Sequence, residues 1–112
     1  MNIQIITGQF REAISSFLVP LQTTKALNRN AFLTLNRVVE TLAQALKGSD
    51  CVSKSVLNEL YVTIQVMRAE APYVKGETAA IQEMAAKLEY CFALILRNES
   101  PSDRVPGVPR LI

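Results

Sequence analysis

The chain has 112 residues, a length that fits one domain, and 49% of them are hydrophobic, as in ordinary globular proteins. Its 12 basic and 10 acidic residues leave a formal net charge of +2, without the strong basic excess of dedicated nucleic-acid binders. There is no histidine, which excludes the commonest general base, the commonest metal ligand and any histidine-activated nucleophile.

The first helix is predicted from about Ile3 to Val19, because apolar residues recur there at steps of three and four. The opening stretch NIQII is also compatible with a short strand. Pro20 has no backbone N–H, so we expect the helix to end or kink there. The N-terminal sequence lacks the basic region and the unbroken apolar core of a signal peptide.

The second and longest helix is predicted from about Thr24 to Lys47. A hydroxyl of Thr23 or Thr24 can cap its N-terminus, although the asparagines that follow also fit a start nearer Asn30. Lys47 suits the negative end of the helix dipole, and Gly48 tolerates the positive φ that often follows a helix.

Two further helices are predicted in the second half of the chain. One covers about residues 51–71, with Ser53 as the cap for a later start and Pro72 closing it. The other covers about residues 78–97 and contains the longest apolar run, Tyr90–Leu96. That run is far shorter than the ~20 residues that span a bilayer, so we expect neither a membrane protein nor a secreted one.

Successive helices are joined by short connections, which predicts antiparallel packing in up-down order. We therefore expect an all-α fold, a compact antiparallel four-helix bundle formed by residues 1–97. Residues 98–112 contain three prolines and four aliphatic residues. We expect this tail to be extended without regular structure, lying along the helical body or held by a partner.

The two cysteines, Cys51 and Cys91, are interpreted as reduced thiols of a cytoplasmic protein. If the third and fourth helices form an antiparallel hairpin, the two residues are offset by roughly 10 Å along the helix axis. That offset is too large for an unstrained disulfide.

Three features are candidates for binding another protein. The run Tyr90–Leu96 is apolar on every side, which predicts either a central helix buried all round or an interface that uses Tyr90 and Leu94, including that of a homodimer.

The other two candidate features are basic. Lys25, Arg29 and Arg37 are spaced to share one face of the second helix, which is either an ordinary solvated face or a docking site for an acidic protein surface or, less favoured, phosphate. Arg104 and Arg110 flank Pro106 and Pro109 of the tail, which either covers its own domain or inserts into a partner.

The sequence offers no set of residues for catalysis. Glu83 and Glu89 are six residues apart, so they point to different helix faces, and the isolated glycines form no phosphate-binding loop. We therefore predict a protein that is not an enzyme and that holds no metal or cofactor.

In its size, its helix count and its closing segment RVPGVPRLI, the chain resembles small, mostly helical bacterial immunity proteins that neutralise polymorphic toxins delivered by contact-dependent or type VI secretion. The resemblance implies a cytoplasmic inhibitor that binds a cognate toxin domain, with a few anchor residues providing most of the affinity. The alternatives are a self-associating helical adaptor, which would use the apolar run, and a nucleic-acid regulator, which would use the second helix.

Overall fold

A computed structural model describes residues 2–103 of the chain. Over that range the fold is all-α, which confirms the predicted class, and the alternative of a strand in the stretch NIQII is wrong. The four α-helices are α1 (Ile3–Thr23), α2 (Arg29–Leu46), α3 (Lys54–Glu70) and α4 (Thr78–Leu96), with single turns of 3-10 helix at Ala71–Tyr73 and Pro101–Asp103.

Helix α1 continues through Pro20 to Thr23, so of the two predicted alternatives, an end or a kink at the proline, the end is wrong. A proline removes one backbone donor, but its carbonyl can still accept. The Pro20 carbonyl accepts from the N–H of Thr24 at 3.0 Å and from that of Ala26 at 3.2 Å. The extra turn also brings Leu21 into the core, where it is fully buried.

Helix α2 begins at Arg29, and the predicted start at Thr24 with a threonine cap is wrong. Asn28 is the N-cap, because its side-chain oxygen accepts from the N–H of Ala31 at 2.9 Å. Between α1 and α2, Lys25 has a left-handed φ of 55°, which no residue of a right-handed helix can have. The alternative start near Asn30 was the better prediction.

The end of helix α4 is closed by hydrogen bonds to its own last turn. Asn98 has a left-handed φ of 63°. Its N–H donates to the carbonyl of Ile95 at 3.1 Å, and the N–H of Glu99 donates to that of Leu94 at 2.8 Å, the pattern of a Schellman motif. The side-chain oxygen of Asn98 also accepts from the N–H of Gly48, which joins the ends of α2 and α4.

The chain then turns back onto α2. The prediction that the tail has no regular structure is wrong for Pro101–Asp103, which forms one helical turn. The remaining tail residues, 104–112, lie outside the described residues, and so do the predictions made for them.

Each helix packs chiefly on two others, in the cyclic order α1, α2, α4, α3. Glu59 of α3 pairs with Arg11 in the first half of α1, and Glu70, the last residue of α3, pairs with Lys25, just after the end of α1. These two ion pairs indicate that α1 and α3 run parallel. The same holds for α2 and α4, whose ends are joined by Gly48 and Asn98. Chain direction therefore alternates along the sequence, as predicted, while α2 and α3 lie across the diagonal of the bundle.

The core is apolar and is shared by all four helices. The rings of Phe17 and Phe32 meet with centroids 5.6 Å apart, which ties α1 to α2. The largest fully buried side chains include Phe10, Phe17, Leu35, Leu42, Leu60, Met67, Ile81 and Leu88. Among residues 2–103, none of the helices has the length and apolarity needed to cross a membrane.

Candidate protein-interaction surface

The predicted basic line on the second helix does not exist as one helix face. Lys25 lies in the connection between α1 and α2, outside the helix that was predicted to carry it. Its ammonium donates to the carboxylate of Glu70 at 2.6 Å and to the carbonyl of Gln22 at 3.1 Å. The side chain therefore holds the ends of α1 and α3 together.

The two arginines of the predicted line differ in their partners. Arg29, the first residue of α2, pairs with the carboxylate of Glu77 at the start of α4. Arg37 lies two turns further along α2, is exposed, and forms no ion pair within residues 2–103. Of the three predicted cations, Arg37 is thus the one whose charge is available to a partner.

Tyr90 and Arg37 belong to one surface, although they are distant in sequence. A shallow groove of about 350 Å³ lies between α2 and α4, and a second of about 330 Å³ lies between α2 and the turn Pro101–Asp103. Glu40 and Pro101 border both grooves. Tyr90 lines the first groove and Arg37 the second. We call this surface the α2–α4 face, and its main residues are Arg37, Glu40, Lys87, Tyr90 and Pro101.

The apolar run in α4 is only partly exposed. Tyr90 is 47% exposed, whereas Leu94, one turn later, is fully buried in the chain's own core. The predicted partner contact through Leu94 is therefore contradicted by its burial. The alternative prediction of burial all round is also wrong, since Tyr90 and Leu96 face solvent. A helix at one corner of a four-helix arrangement keeps an outer side, and these residues occupy it.

Cys91 lies at the inner edge of the first groove, beside Glu40 and Tyr90. Burial, with a smaller contribution from the charge of Glu40, raises the pKa of the Cys91 thiol to about 11. The thiol is therefore protonated at neutral pH and is a poor nucleophile. Cys51 is exposed, and both cysteines are free thiols.

Sequence reasoning missed the group of residues that positions Pro101 beside Glu40. The carboxylate of Asp103 accepts from the backbone N–H of Ser100 at 2.9 Å and from the ammonium of Lys47. These two donors, the lysine first, lower the pKa of Asp103. The segment Ser100-Pro101-Ser102-Asp103 has the proline and the acidic first turn of a helix start, a signal that could have identified this turn.

A separate and larger groove of about 580 Å³ opens near the C-terminal end of α2, between α1, α2 and α3. Leu42, Leu46 and Val56 are among its apolar lining residues, and Arg11 and Cys51 contribute polar groups. Arg11 is paired with Glu59 at 3.0 Å, so its charge is already balanced.

The described part of the chain offers no arrangement for metal binding, since no three acidic or cysteine side chains within it lie close enough together to hold an ion. Arg104 and Arg110, the remaining predicted partner residues, lie outside the described residues.

Comparison with known proteins adds no relative, because no family model, curated protein or solved structure matches the chain.

Proposed function

We propose that this chain is a non-catalytic protein that binds another protein through the α2–α4 face. The observation that carries the proposal is the placement of Arg37 and Tyr90 on one surface, with the arginine unpaired among residues 2–103 and the tyrosine half exposed. Arginine and tyrosine are the residue types that most often dominate binding energy at protein interfaces.

The chemistry of the face supports binding rather than turnover. Its thiol, Cys91, is held protonated by a pKa of about 11, and its one nearby carboxylate, Glu40, accepts a hydrogen bond from the amide of Asn36 at 3.0 Å. Neither group is arranged to activate the other as a nucleophile.

The surroundings of Arg37 indicate what such a partner would offer. Leu33, one turn before it on α2, is 58% exposed, and Lys87 of α4 adds a second cation that has no ion pair within the described residues. An exposed leucine one turn from Arg37, and a lysine that lines the same groove as Tyr90, fit a surface that combines an aliphatic or aromatic patch with carboxylates.

Together with the resemblance to immunity proteins, this chemistry favours an acidic toxin domain as the partner and the cytoplasm as the place of action. Nucleic acid is a poorer candidate, because Lys25 and Arg29 are neutralised by Glu70 and Glu77 and leave few cations for phosphate.

The proposal is tested by measuring the affinity of the purified chain for a toxin domain encoded beside its gene, using calorimetry. We expect Arg37→Glu and Tyr90→Ala each to weaken binding by about tenfold or more, since buried interface anchors contribute more than ~1.4 kcal/mol. Tyr73→Ala is the matched control, because Tyr73 is 70% exposed in the turn between α3 and α4. Equal losses for Tyr73→Ala and Tyr90→Ala would contradict the assignment of the face.

The main alternative is self-association, and light scattering tests it. Light scattering on the same variants reports whether the free chain is a dimer, and a dimer that persists at high salt and is weakened by Tyr90→Ala would replace the proposed partner with a second copy of this chain. The burial of Leu94 removes one of the anchors that this alternative had relied on.

A further inference from the structure

A second surface, on the outer side of α3 and α4, carries exposed apolar side chains. The rings of Tyr61 and Phe92 lie there with their centroids 6.3 Å apart and join the two helices. Tyr61 is 51% exposed, and Leu96, one turn after Phe92 on α4, is 61% exposed. We call this surface the α3–α4 face, and its main residues are Lys54, Tyr61, Arg68, Glu89, Phe92 and Leu96.

The charged residues of this face lie on both sides of Tyr61. Lys54 precedes Tyr61 by seven residues and Arg68 follows it by seven, so the three share one side of α3 at intervals of about 10 Å. Both oxygens of the Glu89 carboxylate accept from Arg68, at 2.8 and 3.1 Å, and Glu89 is still 56% exposed. Lys54 is exposed and forms no ion pair within the described part of the chain. One end of the face therefore offers a free cation, and the other offers a carboxylate that can accept from a further donor.

We propose that the α3–α4 face binds a second copy of this chain about a two-fold axis through the Tyr61–Phe92 contact. A two-fold rotation joins a surface to itself, so each end of the face meets the opposite end in the other copy. Tyr61 of each copy then lies over Phe92 of the other, and Lys54 of each copy approaches Glu89 of the other. The face is thus complementary to itself in charge and apolar at its centre, as specific interfaces are.

The extent of the face is sufficient for a specific dimer. Helix α3 has 17 residues, which corresponds to about 25 Å, and two adjacent helices are about 20 Å wide. The resulting area of about 500 Å² per copy matches the roughly 1,000 Å² in total that a biological interface needs.

This inference goes beyond the proposed function, because it uses a different side of α4. Phe92 and Tyr90 are two residues apart, so their side chains point about 200° apart around the helix axis. A partner protein can therefore occupy the α2–α4 face while a second copy occupies the α3–α4 face. Either proposal can fail without the other.

Sedimentation equilibrium of the full chain measures the dimer directly. We expect Leu96→Asp to raise the dissociation constant of the dimer by about tenfold or more, because the two-fold axis brings two carboxylates into an apolar contact. Leu33→Asp is the matched control, since Leu33 is 58% exposed on α2, and it should leave the constant unchanged. Circular dichroism of both variants checks that the helices are retained.

An exchange of charges tests where the axis lies. Lys54→Glu should raise the dissociation constant by about tenfold, because it places like charges opposite each other twice in the dimer. Adding Glu89→Lys should recover most of that loss, since the ion pair re-forms with its signs exchanged.

A wild-type chain that stays monomeric up to about 1 mM would overturn the proposal. Equal effects of Leu96→Asp and Leu33→Asp would also overturn it, and so would a dimer weakened by Tyr90→Ala but not by Leu96→Asp, which would place the contact on the α2–α4 face. Failure of the double variant to recover binding would exclude the axis through Tyr61 and Phe92.

Discussion

At the scale of single residues, the environment rather than the residue type decides the chemistry of the two thiols. Cys51 lies on the linker between α2 and α3 and is exposed. Cys91 is buried on α4, and burial together with the charge of Glu40 raises the pKa of its thiol from 9.0 to about 11. The folded chain therefore favours the protonated form of Cys91 over a wide range of pH.

This shift predicts a loss of stability at alkaline pH. The pKa of Cys91 is higher in the folded chain than in the unfolded chain. The contribution of its protonated thiol to the free energy of unfolding is therefore fully present below pH 9 and is lost between pH 9 and about 11. Two pKa units correspond to about 2–3 kcal/mol. We expect the difference in unfolding free energy between wild type and Cys91→Ala to shrink by that order between pH 8 and 11 in urea titrations followed by circular dichroism.

Cys51→Ala is the control for this titration, because Cys51 is exposed. Its stability should follow that of the wild type at every pH. Parallel curves for wild type and Cys91→Ala would mean that the buried thiol does not titrate in this range.

At the scale of the helices, local caps decide where each element begins and ends. Asn28 begins α2, and Asn98 ends α4 in a left-handed conformation that costs most residues about 1 kcal/mol. Asn98 has a second role, since its side chain accepts from the N–H of Gly48 and so connects two helix ends. Asn98 therefore contributes to stability both through its backbone conformation and through its side-chain hydrogen bond.

The two parts of Asn98 can be separated by substitution. Asn98→Gly retains the favourable backbone conformation and loses the acceptor for Gly48, whereas Asn98→Ala loses both. We expect thermal stability to fall in the order wild type, Asn98→Gly, Asn98→Ala, with the alanine variant weaker by about 1–3 kcal/mol. Asn30→Ala, on the exposed side of α2, should change little. A glycine variant less stable than the alanine variant would contradict this account.

At the scale of the whole molecule, the apolar core and the ion pairs contribute in different ways. Among the described residues, five ion pairs join parts of the chain that are distant in sequence, all with partly exposed side chains. Exposed pairs are worth about 1 kcal/mol or less each, so they align the helices more than they stabilise them. Phe17, by contrast, is fully buried and contacts the ring of Phe32.

This difference predicts unequal losses of stability. Phe17→Ala should lower the unfolding free energy by about 3–5 kcal/mol, because it leaves a cavity in the core. Glu59→Gln, which weakens the pair with Arg11, should lower it by about 1 kcal/mol or less. Chemical denaturation of both variants provides the comparison, and a larger loss for Glu59→Gln would refute this division of roles.

The fold could be predicted largely from the sequence, but the candidate surface could not. The four helices followed from apolar periodicity, and errors were confined to ends, as at Pro20 and Asn28. Of the predicted partner residues, Arg37 and Tyr90 lie on a common face, while Leu94 is buried and Lys25 lies off the helix. Periodicity places a residue on one side of its own helix, but the neighbouring helices decide whether that side is covered.

The amino-acid sequence alone determined that this chain forms four helices with apolar stripes, because turns and caps depend on residues within four positions of one another. Only the tertiary structure decided which charges remain free. Lys25 meets Glu70 across 45 positions and Arg29 meets Glu77 across 48, so their neutralisation follows from how the helices pack. Arg37 stays available within the described residues because packing brings no carboxylate close enough to pair with it.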